Sequence, residues 1–141
     1  MSDFTREEIL NAFRGFDACS ERHDWDAASE YFTEDARGGN VRIGVLEGRE
    51  GVLRWMRNNP SEWGYTSLWV AIDPPRVVNR WRHWLPGQRE DGSLYAFEGI
   101  TEYVYAGEGR FSWAYSTFDT ATVASVVQEH ANDRAGRART G

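Results

Sequence analysis

The sequence contains no lysine: all 16 of its basic residues are arginine. A lysine Schiff base is therefore excluded, as is any side-chain amine nucleophile. The exclusive use of arginine also points to a GC-rich bacterial genome. A lone cysteine, Cys19, excludes an internal disulfide, and its place in a helical stretch reads as a small core residue. No run of about 18 apolar residues and no signal-peptide pattern is present, so a cytoplasmic chain without membrane contacts is expected. CxxC, HExxH, GxSxG and P-loop patterns are all missing, which leaves zinc hydrolysis, a nucleophile elbow and phosphate-loop chemistry without support. Neither a metal nor a cofactor is expected. With a net charge of −6 the chain has no broad basic face for a nucleic acid. The one Arg-rich stretch, DRAGRARTG at the C-terminus, reads as part of a disordered tail over residues 131–141.

What is abundant is aromatic surface: seven Trp, six Tyr and seven Phe in 141 residues. One small core does not need that much, so rings remain for a cavity wall or an interface. The length suits a single domain, placed at residues 1–130.

Apolar residues at Ile9, Phe13 and Phe16 carry helical spacing from Thr5 to about Arg22, with Thr5 and Glu8 as a capping box. HDWDAASEYF restarts a short helix capped by Asp24. Residues 36–45, Gly-rich and then β-branched, suit one short irregular strand. EGREGVLRWMRNNP predicts a third helix that Asn59-Pro60 stops. The period then changes from 3.6 to 2: YTSLWVAID, RVVNRWRHWL, LYAFEGITEYVYA and RFSWAYSTF predict four strands joined by turn residues. DTATVASVVQEH closes the chain as a helix or an extended arm. The fold class is α+β, three N-terminal helices packed on a curved antiparallel sheet.

This order, with the segments HDWDAASEYFTEDA, LEGREGVLRWM and YAGEGRFSWAYSTFD, resembles the NTF2-like superfamily and its SnoaL-like branch over residues 5 to about 127. The resemblance implies a cone: helices close the concave side of the sheet around a deep apolar pocket. Polyketide cyclases, ketosteroid isomerases, limonene-type epoxide hydrolases and scytalone dehydratase share that fold, as do non-catalytic binding domains. Matched to the isomerases, the positions of their helix Tyr, strand Asp and second Asp hold Phe16, Asn40 and Thr101. Matched to the epoxide hydrolases, the Asp-Arg-Asp relay is replaced by His83, Trp81 and Ser116, while Asn40 is kept. Their acids are thus absent, and His83 stands at a former catalytic acid.

Strand alternation places Asn79, Trp81, His83 and Leu85 on one face and Arg80, Arg82 and Trp84 on the other. Arg80 and Arg82 are expected to pair across the strands with Glu98 and Glu102 on the outer face. Thr101 and Tyr103 then face the pocket with His83, as do Ser112, Ala114, Ser116 and Phe118 of the last strand. Catalytic candidates are His83 as a neutral acid/base, Asn40 as its polar partner and Asp17 as a carboxylate paired with His83. Each has a plain alternative: His83 as a space-filling aromatic, Asn40 as a turn residue, Asp17 as a solvated rim residue. Phe16, Trp55, Trp69, Trp81, Thr101, Tyr103, Ser116 and Phe118 are the expected substrate-binding wall. Trp84, Trp113 and Tyr115 form an aromatic outer face suited to a homodimer. The function read from these residues is cofactor-free proton transfer on a hydrophobic small molecule: cyclisation, isomerisation, dehydration or epoxide opening. A small-molecule-binding domain and a protein–protein module are the alternatives.

Overall fold

A computed structural model describes residues 3–140. Helix α1 (Arg6–Glu21) begins where the Thr5 side chain accepts the Glu8 N–H at 3.1 Å, half of the expected capping box. The Glu8 carboxylate is used elsewhere, accepting the Tyr105 hydroxyl at 2.8 Å and tying α1 to the sheet. Ile9, Ala12, Phe13, Phe16 and Cys19 form the buried stripe of α1. At its end the N–H groups of His23 and Asp24 return to Ser20 and Cys19 carbonyls. This is a Schellman closure with His23, at φ 56°, in the left-handed position usually held by glycine. Asp24 then caps α2 (Trp25–Ala28), as its spacing predicts.

A 3₁₀ turn (Ser29–Tyr31) leads into β1 (Phe32–Asn40), and a reversal follows into β2 (Gly44–Glu47). One irregular strand was expected here; Asn40 and Gly44 instead close a hairpin. Helix α3 (Gly48–Arg57) precedes the long strands β3 (Gly64–Asp73), β4 (Arg76–Gln88), β5 (Leu94–Gly107) and β6 (Arg110–Thr117). The six strands lie in the order β2-β1-β6-β5-β4-β3. All neighbours are antiparallel except β1 and β6, so the sheet is mixed and not wholly antiparallel as expected. The long chain passage from β1 to β6 permits this, because only a tight hairpin enforces antiparallel pairing.

Alternation along β5 buries Tyr95, Phe97, Gly99, Thr101, Tyr103 and Tyr105 on one face. Bulges in β3 and β6 displace the parity there. In β3 the register steps from Ser67–Trp81 to Trp69–Arg80, so Leu68 is an extra residue. In β6 Val104 pairs with Trp113 and Tyr105 with Phe111, so Ser112 is extra and Phe111, not Ser112, faces the core. On the outer face Glu98 alone takes both arginines: Arg80 on Oε1 and Arg82 on Oε2, at 2.9 and 2.6 Å. Glu102 pairs with neither, because the register sets it opposite Val78. Trp113 stacks on Tyr115 with centroids 5.8 Å apart, and Arg37 lies over Trp113. Trp84 covers the bare Cα of Gly64. These outer rings are half-buried by their own neighbours.

Helix α4 (Thr120–Thr140) starts under Asp119, whose side chain accepts two N–H groups. Residues 131–140, expected as a disordered tail, continue this helix; Gly141 lies outside the described residues. Polar ties explain the ordering. Arg89 grips Glu129 with two bonds, the His130 Nε2 lies 2.8 Å from the Pro86 carbonyl, and the Tyr95 hydroxyl donates to Asp133. Among the described residues no helix is long and apolar enough to cross a membrane.

Gly99 sits opposite Trp81, and the indole lies across its bare Cα. A Cβ there would meet Trp81 Cζ2 at 2.5 Å and the Thr117 carbonyl oxygen at 2.9 Å. Gly99→Ala is therefore expected to destabilise the fold by about 1–3 kcal/mol in denaturant titration. An unchanged unfolding midpoint would contradict this packing.

Candidate functional site

Four strands each contribute one polar side chain at the same level of the concave face. The register sets Asn40 of β1 beside Ser116 of β6, Ser116 beside Thr101 of β5, and Thr101 beside Asn79 of β4. Together with His130 these are the buried polar residues among those described. A buried amide or hydroxyl costs about 1–3 kcal/mol if left unbonded, so the partners of this row decide whether it is tolerable.

They are nearly all internal. Asn79 accepts the Ser67 hydroxyl at 2.5 Å on Oδ1 and donates from Nδ2 to the Tyr65 hydroxyl at 2.9 Å. The Tyr65 hydroxyl in turn donates to Asp17 Oδ1 at 2.6 Å. Asp17 is thus paired with Tyr65 and not with His83 as expected. Burial, and after it the charge of Glu21, push its pKa up, while the Tyr65 bond works against them. The Tyr65 phenol is pushed up too, first by burial, so it stays a donor. The Trp81 indole N–H donates to Thr101 Oγ1 at 2.8 Å, and that oxygen lies 2.7 Å from Ser116 Oγ. Of the two hydroxyl hydrogens in the Thr101–Ser116 pair, one is used between them. With Thr101 as the donor the Ser116 hydrogen is left for a guest; with Ser116 as the donor the Thr101 hydrogen has the Tyr103 hydroxyl as an acceptor. Asn40 fulfils its turn reading: Oδ1 accepts the Arg42 and Ile43 N–H groups at 2.9 and 3.0 Å. That fixes its rotamer and leaves the Nδ2 amide hydrogens uncommitted.

The row opens into a cavity of about 270 Å³. Of the expected residues, His83, Asn40, Phe16, Trp55, Trp81, Thr101, Tyr103, Ser116 and Phe118 line it. Trp69 does not; the Leu68 bulge turns it to the outer face opposite Arg80, where it is 53% exposed. Asp17 stands behind Tyr65 instead of on the wall. Several wall residues were not singled out from the sequence: Tyr65, Asn79, Trp63, His23, and Val123 and Val127 of α4. For Asn79 the signal was present, since its parity matches His83. His23 stands in RHDWD, between α1 and α2, where the sequence shows no metal-ligand spacing.

His83 lies in an aromatic collar. Its ring centroid is 4.9 Å from Trp81, 5.2 Å from Tyr65 and 5.7 Å from Phe97. Nδ1 is 3.2 Å from the Gly64 carbonyl oxygen. A carbonyl only accepts, so Nδ1 carries the hydrogen and Nε2 presents the lone pair. Nε2 has no hydrogen-bond partner among the described residues. Burial lowers the His83 pKa to about 4, outweighing the Gly64 carbonyl, and the charge of His23 lowers it further. The imidazole is therefore neutral near pH 7.

The SnoaL-like domain family matches residues 13–114 of the sequence. No curated protein matches it. Among solved structures, an LEH-like epoxide hydrolase from M. tuberculosis superposes with a TM-score of 0.67 at 14% identity, over 85% of this chain and 84% of that one. A candidate ketosteroid isomerase from Kribbella flavida gives 0.68 at 17% identity, over 80% and 78% of the two chains. A candidate polyketide cyclase from Xanthomonas campestris gives 0.68 at 15%, over 86% and 98%. At such identities the likeness shows the fold alone.

The lowered His83 pKa has a stability consequence with a definite sign. The unfolded chain takes up this proton near pH 6.5, whereas the folded chain resists it until about pH 4. Stability should fall as pH drops across that window, by up to about 3 kcal/mol from this group. Asp17, with its pKa raised, acts in the opposite direction. Comparing wild type with His83→Phe isolates the histidine: the variant is expected to lose less stability between pH 6.5 and 4. Parallel stability profiles for the two proteins would place His83 in contact with water.

Proposed function

The chain belongs to the SnoaL-like domain family within the NTF2-like fold, and on that premise we propose that it is a cofactor-free enzyme. It would move a proton on a hydrophobic small molecule that bears a carbonyl or equivalent oxygen. The observation that carries this reading is the division of unused hydrogen-bonding groups around one cavity. Donors remain on the row, at Asn40 Nδ2, at the second Asn79 Nδ2 hydrogen and, with Thr101 donating to Ser116, at the Ser116 hydroxyl. An acceptor remains at His83 Nε2.

Two donors side by side on adjacent strands suit an oxygen that gains negative charge as a neighbouring C–H is lost. The lone pair of His83 suits that proton. A neutral imidazole on an apolar wall is a weak base in the empty cavity, and an oxyanion forming in the same space favours its protonation. Asn79 and Tyr65 bond to each other and to Ser67 and Asp17, which holds the wall; the second Asn79 Nδ2 hydrogen is not used among the described residues. Val123 and Val127 of α4 complete it. Water exclusion by that apolar wall strengthens each of these interactions. Isomerisation and aldol-type cyclisation both begin with this proton transfer, so they are favoured over epoxide opening, for which no carboxylate among the described residues lines the cavity.

A second reading has its own support. The low basicity of His83 and the carboxylate-free wall also suit a domain that binds such a molecule without converting it.

Proton abstraction can be followed without knowing the product. Polycyclic and terpenoid ketones incubated with the protein in D₂O should gain deuterium at an acidic carbon, read by mass spectrometry. His83→Gln should slow that exchange by about 10²–10⁴-fold while ligand affinity changes little. The wild-type rate should be constant above about pH 5.5 and decline toward about pH 4 as the imidazole is protonated. Exchange that survives intact in His83→Gln would assign the base elsewhere. Binding of a ketone with no exchange in wild type would favour the binding domain.

A further inference from the structure

We propose that the cavity selects an anionic ligand: an apolar, ring-bearing acid whose carboxylate or similar group pairs with Arg42 at the mouth. Among the described residues Arg42 is the permanent cation of the lining, and no Asp or Glu lines the cavity. In a chain with 22 acidic residues and a net charge of −6, a wall free of carboxylates is a departure that bears on the ligand.

The side chain of Arg42 is also uncommitted. Arg37, Arg80, Arg82 and Arg89 each hold a carboxylate. Arg42 has no ion pair or side-chain hydrogen bond among the described residues, although its residue is exposed and lines the cavity. Its backbone is held in place by the site itself, because its N–H donates to Asn40 Oδ1 at 2.9 Å. The guanidinium therefore projects from a fixed turn beside the donor amide. The flanking Val41 and Ile43 are exposed apolar residues, 41% and 45%, so the charge stands alone on an apolar hairpin tip. A planar fork of N–H donors at the edge of a low-dielectric cavity matches a carboxylate or sulfonate. Asp17 is directed into the Tyr65 hydroxyl and is not among the lining residues.

This inference rests on the cavity being the ligand site of the proposed function, and equilibrium binding tests it separately from turnover. Two fluorescent probes share one ring system: 8-anilinonaphthalene-1-sulfonate carries an anion, and N-phenyl-1-naphthylamine does not. Each is titrated into wild type, Arg42→Gln and Arg42→Lys, reading probe emission and quenching of the wall tryptophans. Wild type should prefer the sulfonate. Arg42→Gln should weaken the sulfonate about three- to tenfold and the neutral amine by less than about twofold. Arg42→Lys should recover part of the loss, and added salt should weaken only the sulfonate. The two probes should displace each other. Equal effects of Arg42→Gln on both probes, no effect on either, or failure of mutual displacement would overturn the proposal. Failure of the proton-transfer reading alone would leave these affinities where they are.

Discussion

Four polar side chains buried in a row across an aromatic cone constrain the rest of this molecule. Asn40, Ser116, Thr101 and Asn79 can remain there only if their hydrogen bonds are met from within. Meeting them brings Trp81 onto Thr101, Tyr65 onto Asn79, Asp17 onto Tyr65, and the β1–β2 turn onto Asn40. Helix α1, the edge strand β3 and the first hairpin each make a polar contact that leads to this row. Gly99 belongs to the same arrangement, since a side chain there would displace the Trp81 ring.

What the row leaves unsatisfied is as informative as what it satisfies. On the donor side the Asn40 NH₂, one Asn79 Nδ2 hydrogen and, with Thr101 donating to it, the Ser116 hydroxyl remain, and the Nε2 lone pair remains on His83. The Gly64 carbonyl selects that nitrogen by occupying the other. The carbonyl comes from β3, the ring from β4, and their meeting follows from the pairing of Gly64 with Trp84 and Tyr65 with His83. A backbone group is a durable way to set a tautomer, because no side-chain substitution removes it. The same wall contains His23 in a left-handed conformation at the end of α1. A glycine would be the unstrained choice there, so the imidazole on the cavity wall carries a local backbone cost.

Local period made much of this legible in the sequence. Alternation along Val77–Leu85 directed His83 and Trp81 inward and the arginines outward, and β5 obeyed the same rule without interruption. Two features defeated it. One extra residue, Leu68, turned Trp69 from the expected wall to the outer face, and another, Ser112, exchanged places with Phe111. A bulge leaves no sign in hydrophobic pattern when both faces carry aromatics. The partner of Asp17 was also hidden, because 48 residues separate it from Tyr65 and only the docking of α1 brings them together. Helix α4 was underestimated for a related reason: its polar composition suggested a tail, while its order comes from Arg89, Pro86 and Tyr95 on the β4–β5 hairpin.

The account depends on one protonation state: His83 neutral, with hydrogen on Nδ1 and an open lone pair on Nε2. Nitrogen-15 NMR of the imidazole, recorded between pH 7 and 4, observes it directly. The Nδ1–H tautomer is expected at neutral pH, with protonation only near pH 4. An Nε2–H tautomer at neutral pH, or an imidazolium already formed at pH 6, would contradict it.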